Sequence, residues 1–281
     1  MKLYYYAHTG HKKGLDRLKK ATALLKKLNE KGLDTMLLVN DFRAGLVARE
    51  FGIDESVNIE TIQDIDAIAN MGDAIIIDSP ENDRGRLEKY VNEFKKVFRF
   101  AQNCNDNSRY GEIIIDYKDI IVDDIYFKKH EKEDRVLFFL GDSDADKKIV
   151  SNKDFFEENK MELLLGHYFY VKYENDLAKI FTKLHEAEEY IDLICSSKIV
   201  VTSSLQTALE TRISGAKVIF IDDSNQENCL KEILDNLQIS TINGFNIKDY
   251  KHSMLNEIID CHLITQKTEI IASNLINNLS S

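Results

Sequence analysis

The chain has 281 residues, more than one hydrophobic core comfortably organises, so two domains are expected. With 43% hydrophobic and 30% charged residues it can bury a sizeable core, which excludes a disordered or fibrous chain. The net charge of −11 argues against general nucleic-acid or anionic-membrane binding, both of which need basic surface, but leaves room for an anionic small ligand read by a local pocket.

The N-terminal segment, residues 1–6, runs directly into a strand pattern rather than a signal peptide. Apolar runs are only a few residues long, so no membrane span and no stable membrane association are expected. Strands are expected over 2–7, 34–39, 74–78 and 96–100, with amphipathic helical runs between them. In the first such run Leu15, Leu18, Ala21, Leu25 and Leu28 share one face, and the basic residues Lys12, Lys13, Arg17, Lys19 and Lys20 are expected to form its solvated face. The charged stretch 128–134 separates this series from a second one, with strands expected over 136–140, 161–165, 179–182, 199–202 and 217–222. A helix is expected over 187–195 and a terminal helix over 265–279. Strands alternating with helices imply right-handed crossovers and parallel sheets. The expectation is therefore an α/β chain of two doubly wound, Rossmann-like domains, 1–133 and 134–281, facing across a cleft. Cys104, Cys195, Cys229 and Cys261 lack the short spacing of a zinc site and are expected to be reduced thiols in a cytoplasmic protein.

In such sheets the chemistry lies just after the strands. The first strand is followed by His8-Thr9-Gly10-His11 and then a helix. Gly10 permits a tight turn, and the helix start offers N–H groups to an anion. His11 is the candidate base on this turn, able to take a proton from water near neutral pH; the alternative is a plain helix-start residue. His8 could face the cleft beside His11, but it ends the strand, and the alternative is a half-buried structural histidine. The second series opens with Gly141-Asp142-Ser143-Asp144, a candidate phosphate-cradling turn with Asp144 as helix cap rather than metal ligand. After 199–202 come Ser203, Ser204 and Leu205, where serines can cap a helix and meet a diphosphate beside the positive dipole end. Glu210, inside that helix, could accept hydrogen bonds from ribose hydroxyls; the alternative is a solvated glutamate.

Four stretches, Gly10-His11, 75–78 with 98–100, the turn 141–144, and His185-Glu186 through Ser203-Ser204-Leu205, resemble the glycosyltransferase-B (GT-B) superfamily. More narrowly they resemble the UDP-sugar hydrolases of pseudaminic-acid biosynthesis, and the Glu210-to-Gly215 spacing resembles the N-acetylglucosaminyltransferases of peptidoglycan synthesis. The resemblance implies hydrolysis of a UDP-linked sugar with inversion, with His11 activating water, the sugar on the N-terminal domain and the nucleotide on the C-terminal one. It places Ser203, Ser204 and Leu205 at the diphosphate and Glu210 at the ribose, and implies no metal or cofactor. Gly10, Asp78, Gly141 and Ser143 complete the expected substrate-binding set.

The chain departs from the hydrolase pattern in three places. Ser79-Pro80-Glu81 replaces a segment carrying an aromatic residue beside the sugar, Asp142 replaces a glycine where its charge would repel phosphate, and His8 begins what is otherwise Gly-x-Gly-His. Two other readings remain: a GT-B glycosyltransferase using an acceptor hydroxyl, and a non-catalytic nucleotide-sugar-binding or partner-binding module.

Overall fold

The computed structural model describes residues 1–169, 171–222, 228–256 and 267–280. Its contacts gather into two units, Met1–Asp123 with Gln266–Ser281, and Asp124–Thr265.

In the first unit the elements are β1 (Leu3–Ala7), α1 (Asp16–Glu30), β2 (Thr35–Val39), α2 (Phe42–Glu50), β3 (Ser56–Asn58) and β4 (Ala74–Asp78). They continue as α3 (Arg86–Glu93), β5 (Lys96–Phe100) and β6 (Ile113–Ile115). The sheet order is β3-β2-β1-β4-β5-β6, parallel throughout. β1 and β4 are buried at every position, as strands inside a parallel sheet covered on both faces must be.

The second unit contains β7 (Glu133–Phe139), α4 (Lys148–Ser151), α5 (Lys153–Asn159), β8 (Glu162–Leu164), α6 (Val171–Leu177) and β9 (Lys183–His185). Then follow α7 (Tyr190–Ser196), β10 (Ser197–Thr202), α8 (Leu205–Ile213), β11 (Lys217–Asp222), α9 (Asn228–Asn236), β12 (Ser240–Asn243) and α10 (Ile247–Leu255). Its order, β12-β11-β10-β7-β8-β9, is again all parallel. In each unit the strand order reverses once, between β1 and β4 and between β7 and β10. The carboxyl ends of the strands flanking such a reversal are where open α/β sheets receive ligands. Two doubly wound α/β units are therefore present, as the alternating pattern requires.

Differences from expectation have identifiable causes. The division falls at 123/124 rather than 133/134, and the last helix, α11 (Lys267–Ser280), belongs to the first unit. Thr268 explains that return, because its hydroxyl donates to the Val122 carbonyl and accepts the Val122 N–H, both at 3.0 Å. Lys31 pairs with Glu269, and the Lys95 ammonium donates to the Leu279 carbonyl. Residues 179–182, expected as a strand, form the turn after α6, and the strand begins at Lys183. The basic face of α1 is not uniformly solvated: Lys19 is buried, and Arg17 and Lys20 reach a buried carboxylate. Cys195 is a buried free thiol, whereas Cys104 and Cys229 each carry a disulfide, so not all four cysteines are the reduced thiols expected. Among the described residues no helix is long and apolar enough to cross a membrane.

The second unit's core centres on Phe138 of β7, whose ring lies 4.6 Å from Phe156, 5.9 Å from Phe181 and 6.4 Å from Phe245, centroid to centroid. Phe138→Ala removes the shared partner of three rings and should cost about 3–5 kcal/mol. Urea unfolding followed by circular dichroism measures this, and a loss under about 1 kcal/mol would show that the cluster closes over the gap.

Candidate functional site

At the strand-order reversal of the second unit, β7 is followed by Leu140 and Gly141, whose φ of 150° favours glycine. Asp142 does not present its charge to this turn. Its side chain is 1% exposed and meets His167 Nδ1 at 3.1 Å, so the repulsion expected of it is answered locally. Gly166 makes that packing possible, because a Cβ there would lie 2.5 Å from the Asp142 backbone. Asp144 lies three residues before Lys147, the N-cap of α4, yet its carboxylate accepts the first helical N–H groups, of Lys148 at 2.7 Å and Ile149 at 3.1 Å, and the Tyr173 hydroxyl. Among the described residues no group of three or more histidines, cysteines or acids is placed to hold a metal.

On the neighbouring strand β10, the Ser203 hydroxyl donates to the Leu140 carbonyl at 2.6 Å, which ties this strand end to the Gly141 turn. Ser204 is the N-cap of α8, its hydroxyl accepting the Thr207 N–H at 3.1 Å, and Leu205 is the first helical residue. The first N–H groups of α8 have no intrahelical acceptor and form the positive end of its dipole. Gly141, Ser203, Ser204 and Leu205 are thus brought to one edge, and Ser143 follows in the same turn. Glu210 lies deeper and is not a solvated helix residue: it is 2% exposed, accepting from the Tyr190 hydroxyl at 2.7 Å and the Gln206 amide at 2.8 Å. Burial and the nearby Glu210 charge push the Tyr190 phenol well above its ordinary range. Tyr190 and Gln206, the groups that organise this carboxylate, went unread in the sequence because neither matches a motif.

At the reversal of the first unit, between β1 and β4, the Gly10 carbonyl accepts the N–H groups of Lys13 at 2.8 Å and Gly14 at 2.9 Å, closing the turn that carries His11. Asp78, at the end of β4, is 1% exposed. Both its oxygens are engaged, with Arg17 Nε at 3.3 Å, Lys20 Nζ at 2.7 Å and the Tyr5 hydroxyl at 3.2 Å. Asp78 therefore holds α1 against the sheet.

The larger surprise is His8. Its Nδ1 lies 3.1 Å from Glu81 Oε2 and 3.3 Å from Ser79 Oγ, and the same carboxylate oxygen accepts from the Tyr6 hydroxyl at 2.5 Å and the Ser79 hydroxyl at 3.0 Å. A cavity of about 200 Å³ adjoins this cluster, lined by Ser79, Glu81, Arg99, Gln102 and Asn103 among others. Arg99 is fixed there by a forked bond to Asp106 and by Glu112.

Burial by itself would raise the Glu81 carboxyl, but the bonds from His8, Tyr6 and Ser79 outweigh it and hold it down from 4.5 to about 2. A folded-state value below the unfolded one gives stability that is complete above about 4.5 and is lost as pH falls toward about 2. Glu81→Gln should therefore flatten the fall in melting temperature across that window. Circular-dichroism melts at stepped pH check this, and equal slopes in both proteins would show that the carboxylate gains nothing on folding.

No protein-family model and no curated protein sequence matches the chain. Solved structures do match its fold. The UDP-GlcNAc 2-epimerase of Methanocaldococcus jannaschii, in complex with UDP-GlcNAc and UDP, is 13% identical with a TM-score of 0.64, covering 99% of this chain and 100% of that one. MnaA of S. aureus with UDP is 13% identical with a TM-score of 0.62, covering 99% and 96%. The glycosyltransferase SnogD from Streptomyces nogalater is 10% identical with a TM-score of 0.54, covering 100% and 96%. The chain has the GT-B fold of two Rossmann-like units that these epimerases and glycosyltransferases share.

Proposed function

We propose that the chain hydrolyses a nucleotide-activated sugar, UDP-linked, to nucleoside diphosphate and free sugar with inversion at the anomeric carbon. The observation that carries this reading is the strand-order reversal of the second unit, where the Gly141 turn and the Ser204-capped start of α8 share one edge. A leaving diphosphate needs its growing negative charge stabilised, and helix-start N–H groups supply that without a metal. UDP and UDP-GlcNAc in the structurally similar proteins support the ligand class. In this reading Gly141, Ser143, Ser203, Ser204 and Leu205 meet the diphosphate, and Glu210 meets the ribose.

The first unit supplies the base from the segment between β1 and α1, which the hydrolase resemblance places at His11 on the Gly10 turn. Water attacks the anomeric carbon opposite the leaving group, the carbon–oxygen bond to the diphosphate breaks with its electron pair on the phosphate oxygen, and the base takes the water proton. A glycosyltransferase would use the same base on an acceptor hydroxyl; the fold likeness to SnogD is compatible with that second reading without preferring it. The binding-module reading leaned on Asp142 and on Ser79-Pro80-Glu81; the Asp142 carboxylate is turned to His167 Nδ1 at 3.1 Å rather than left facing the turn.

A proton NMR time course with a panel of UDP-sugars, without metal or acceptor, separates these. Hydrolysis releases UDP and a free sugar whose first-formed anomer is inverted. Product only after an acceptor is added would establish transfer, and an altered sugar still linked to UDP would establish epimerisation. Line broadening by UDP with no product from any sugar or acceptor would leave a binding module.

A further inference from the structure

We propose that His8 is the catalytic base of this step, held in its working tautomer by Glu81 as positioning residue. This rests on the reading of the chain as a nucleotide-sugar hydrolase and moves the base from the residue implied by resemblance to the one whose surroundings are built for the task.

Three observations converge. The first is place: His8 directly follows β1 while Ser79 and Glu81 directly follow β4, so their bonds bridge the two strands between which the order reverses. That position is where doubly wound sheets receive their ligands. The second is direction. An ionised carboxylate only accepts hydrogen bonds, so the 3.1 Å approach of Nδ1 to Glu81 Oε2 fixes the proton of neutral His8 on Nδ1 and leaves the Nε2 lone pair as acceptor. None of the described residues bonds that Nε2, and the side chain is 14% exposed. The third is support. Tyr6 and Ser79 donate to the same Glu81 oxygen, so the carboxylate is oriented and stays ionised. Glu81 also lines the cavity in which the Gln102 and Asn103 amides could meet the hydroxyls of a sugar. The charged and titratable groups facing His8 are Glu81 and Tyr6, with Asp64 acting on the Tyr6 phenol.

In the step itself the water oxygen bonds to the anomeric carbon and the bond to the diphosphate oxygen breaks. The electron pair leaves with the nucleotide, and the water proton passes to His8 Nε2. Glu81 then faces an imidazolium, an ion pair it already has the geometry to form.

Two readouts test this. Nitrogen-15 NMR of the histidine rings should show His8 as the Nδ1–H tautomer in the wild type and no longer so fixed in Glu81→Gln; an Nε2–H tautomer in the wild type overturns the proposal. With a UDP-sugar that the wild type cleaves, His8→Asn should lower kcat by roughly 10²–10⁴-fold with KM and UDP binding little changed. Glu81→Gln should lower kcat at least about tenfold, and Glu81→Asp should restore part of it. Circular dichroism confirms that each variant is folded. Wild-type kcat in a folded His8→Asn, with His11→Asn inactive, returns the base to His11 and overturns the inference alone. A tautomer shift in Glu81→Gln without loss of kcat makes the pair structural and overturns it likewise. If the wild type cleaves no UDP-sugar, the hydrolase reading falls and the inference with it.

Discussion

A charge buried in the sheet of the first unit sets the terms for everything near it. Asp78 is almost fully enclosed, and an unpaired carboxylate there would cost several kcal/mol. Its partners come from two elements: Arg17 and Lys20 from α1, and Tyr5 from β1. Lys20 also lies 4.1 Å above the Phe100 ring, so its ammonium is held from both sides. These contacts fix α1 on the sheet, and the short segment from His8 to Leu15 has to span the distance they leave. The Gly10–Gly14 turn is the way it does so, closed by two bonds to the Gly10 carbonyl. The carboxylate thus contributes to any chemistry on that segment by fixing its ends.

The same rule governs the acidic residues of the second unit and resolves an apparent conflict in the sequence. A chain of net charge −11 with Asp142, Asp144 and Glu210 near the proposed nucleotide edge looks hostile to a diphosphate. Each of the three is answered locally: Asp142 by His167, Asp144 by two backbone N–H groups and Tyr173, and Glu210 by Tyr190 and Gln206. What is left at the strand ends is a glycine turn and a helix start. Net charge therefore says little about this edge; the hydrogen-bond directions decide it.

The architecture was legible because parallel strands covered on both faces must be apolar along their length, which marks β1, β4, β10 and β11 plainly in the sequence. Elements at the sheet edges carry less of that signal. β3, β6 and β9 have three residues each and β12 four, too few for a period to show, and the strand expected at 179–182 began four residues later. The return of α11 to the first unit depends on Thr268 meeting Val122, a contact across 146 positions that no local pattern encodes. For the site, glycines and serines after strands were readable from turn and cap chemistry. Tyr190, Gln206 and His167 were not, because their importance lies in which carboxylate they reach. The same blindness made His8 look like an ordinary strand end.

Ser79-Pro80-Glu81 illustrates why a departure from a pattern should be judged in three dimensions. Read as a string, it replaces an aromatic residue and suggests loss. In the structure Ser79 Oγ accepts the Glu81 N–H at 3.1 Å and donates to its carboxylate at 3.0 Å, so the side chain is folded back toward β1 by its own loop. Pro80, with its φ restricted and no N–H to satisfy, suits the residue between them. The carboxylate so held meets His8 and Tyr6, both from β1 or its immediate end. A carboxylate oriented this way can fix a tautomer and stabilise the charge that a base acquires. The segment thus sets an oriented carboxylate at the place in the first unit where strand order reverses. Three donors, from His8, Tyr6 and Ser79, converge on one oxygen, so the carboxylate is held in one orientation by groups at the ends of both strands that flank the reversal.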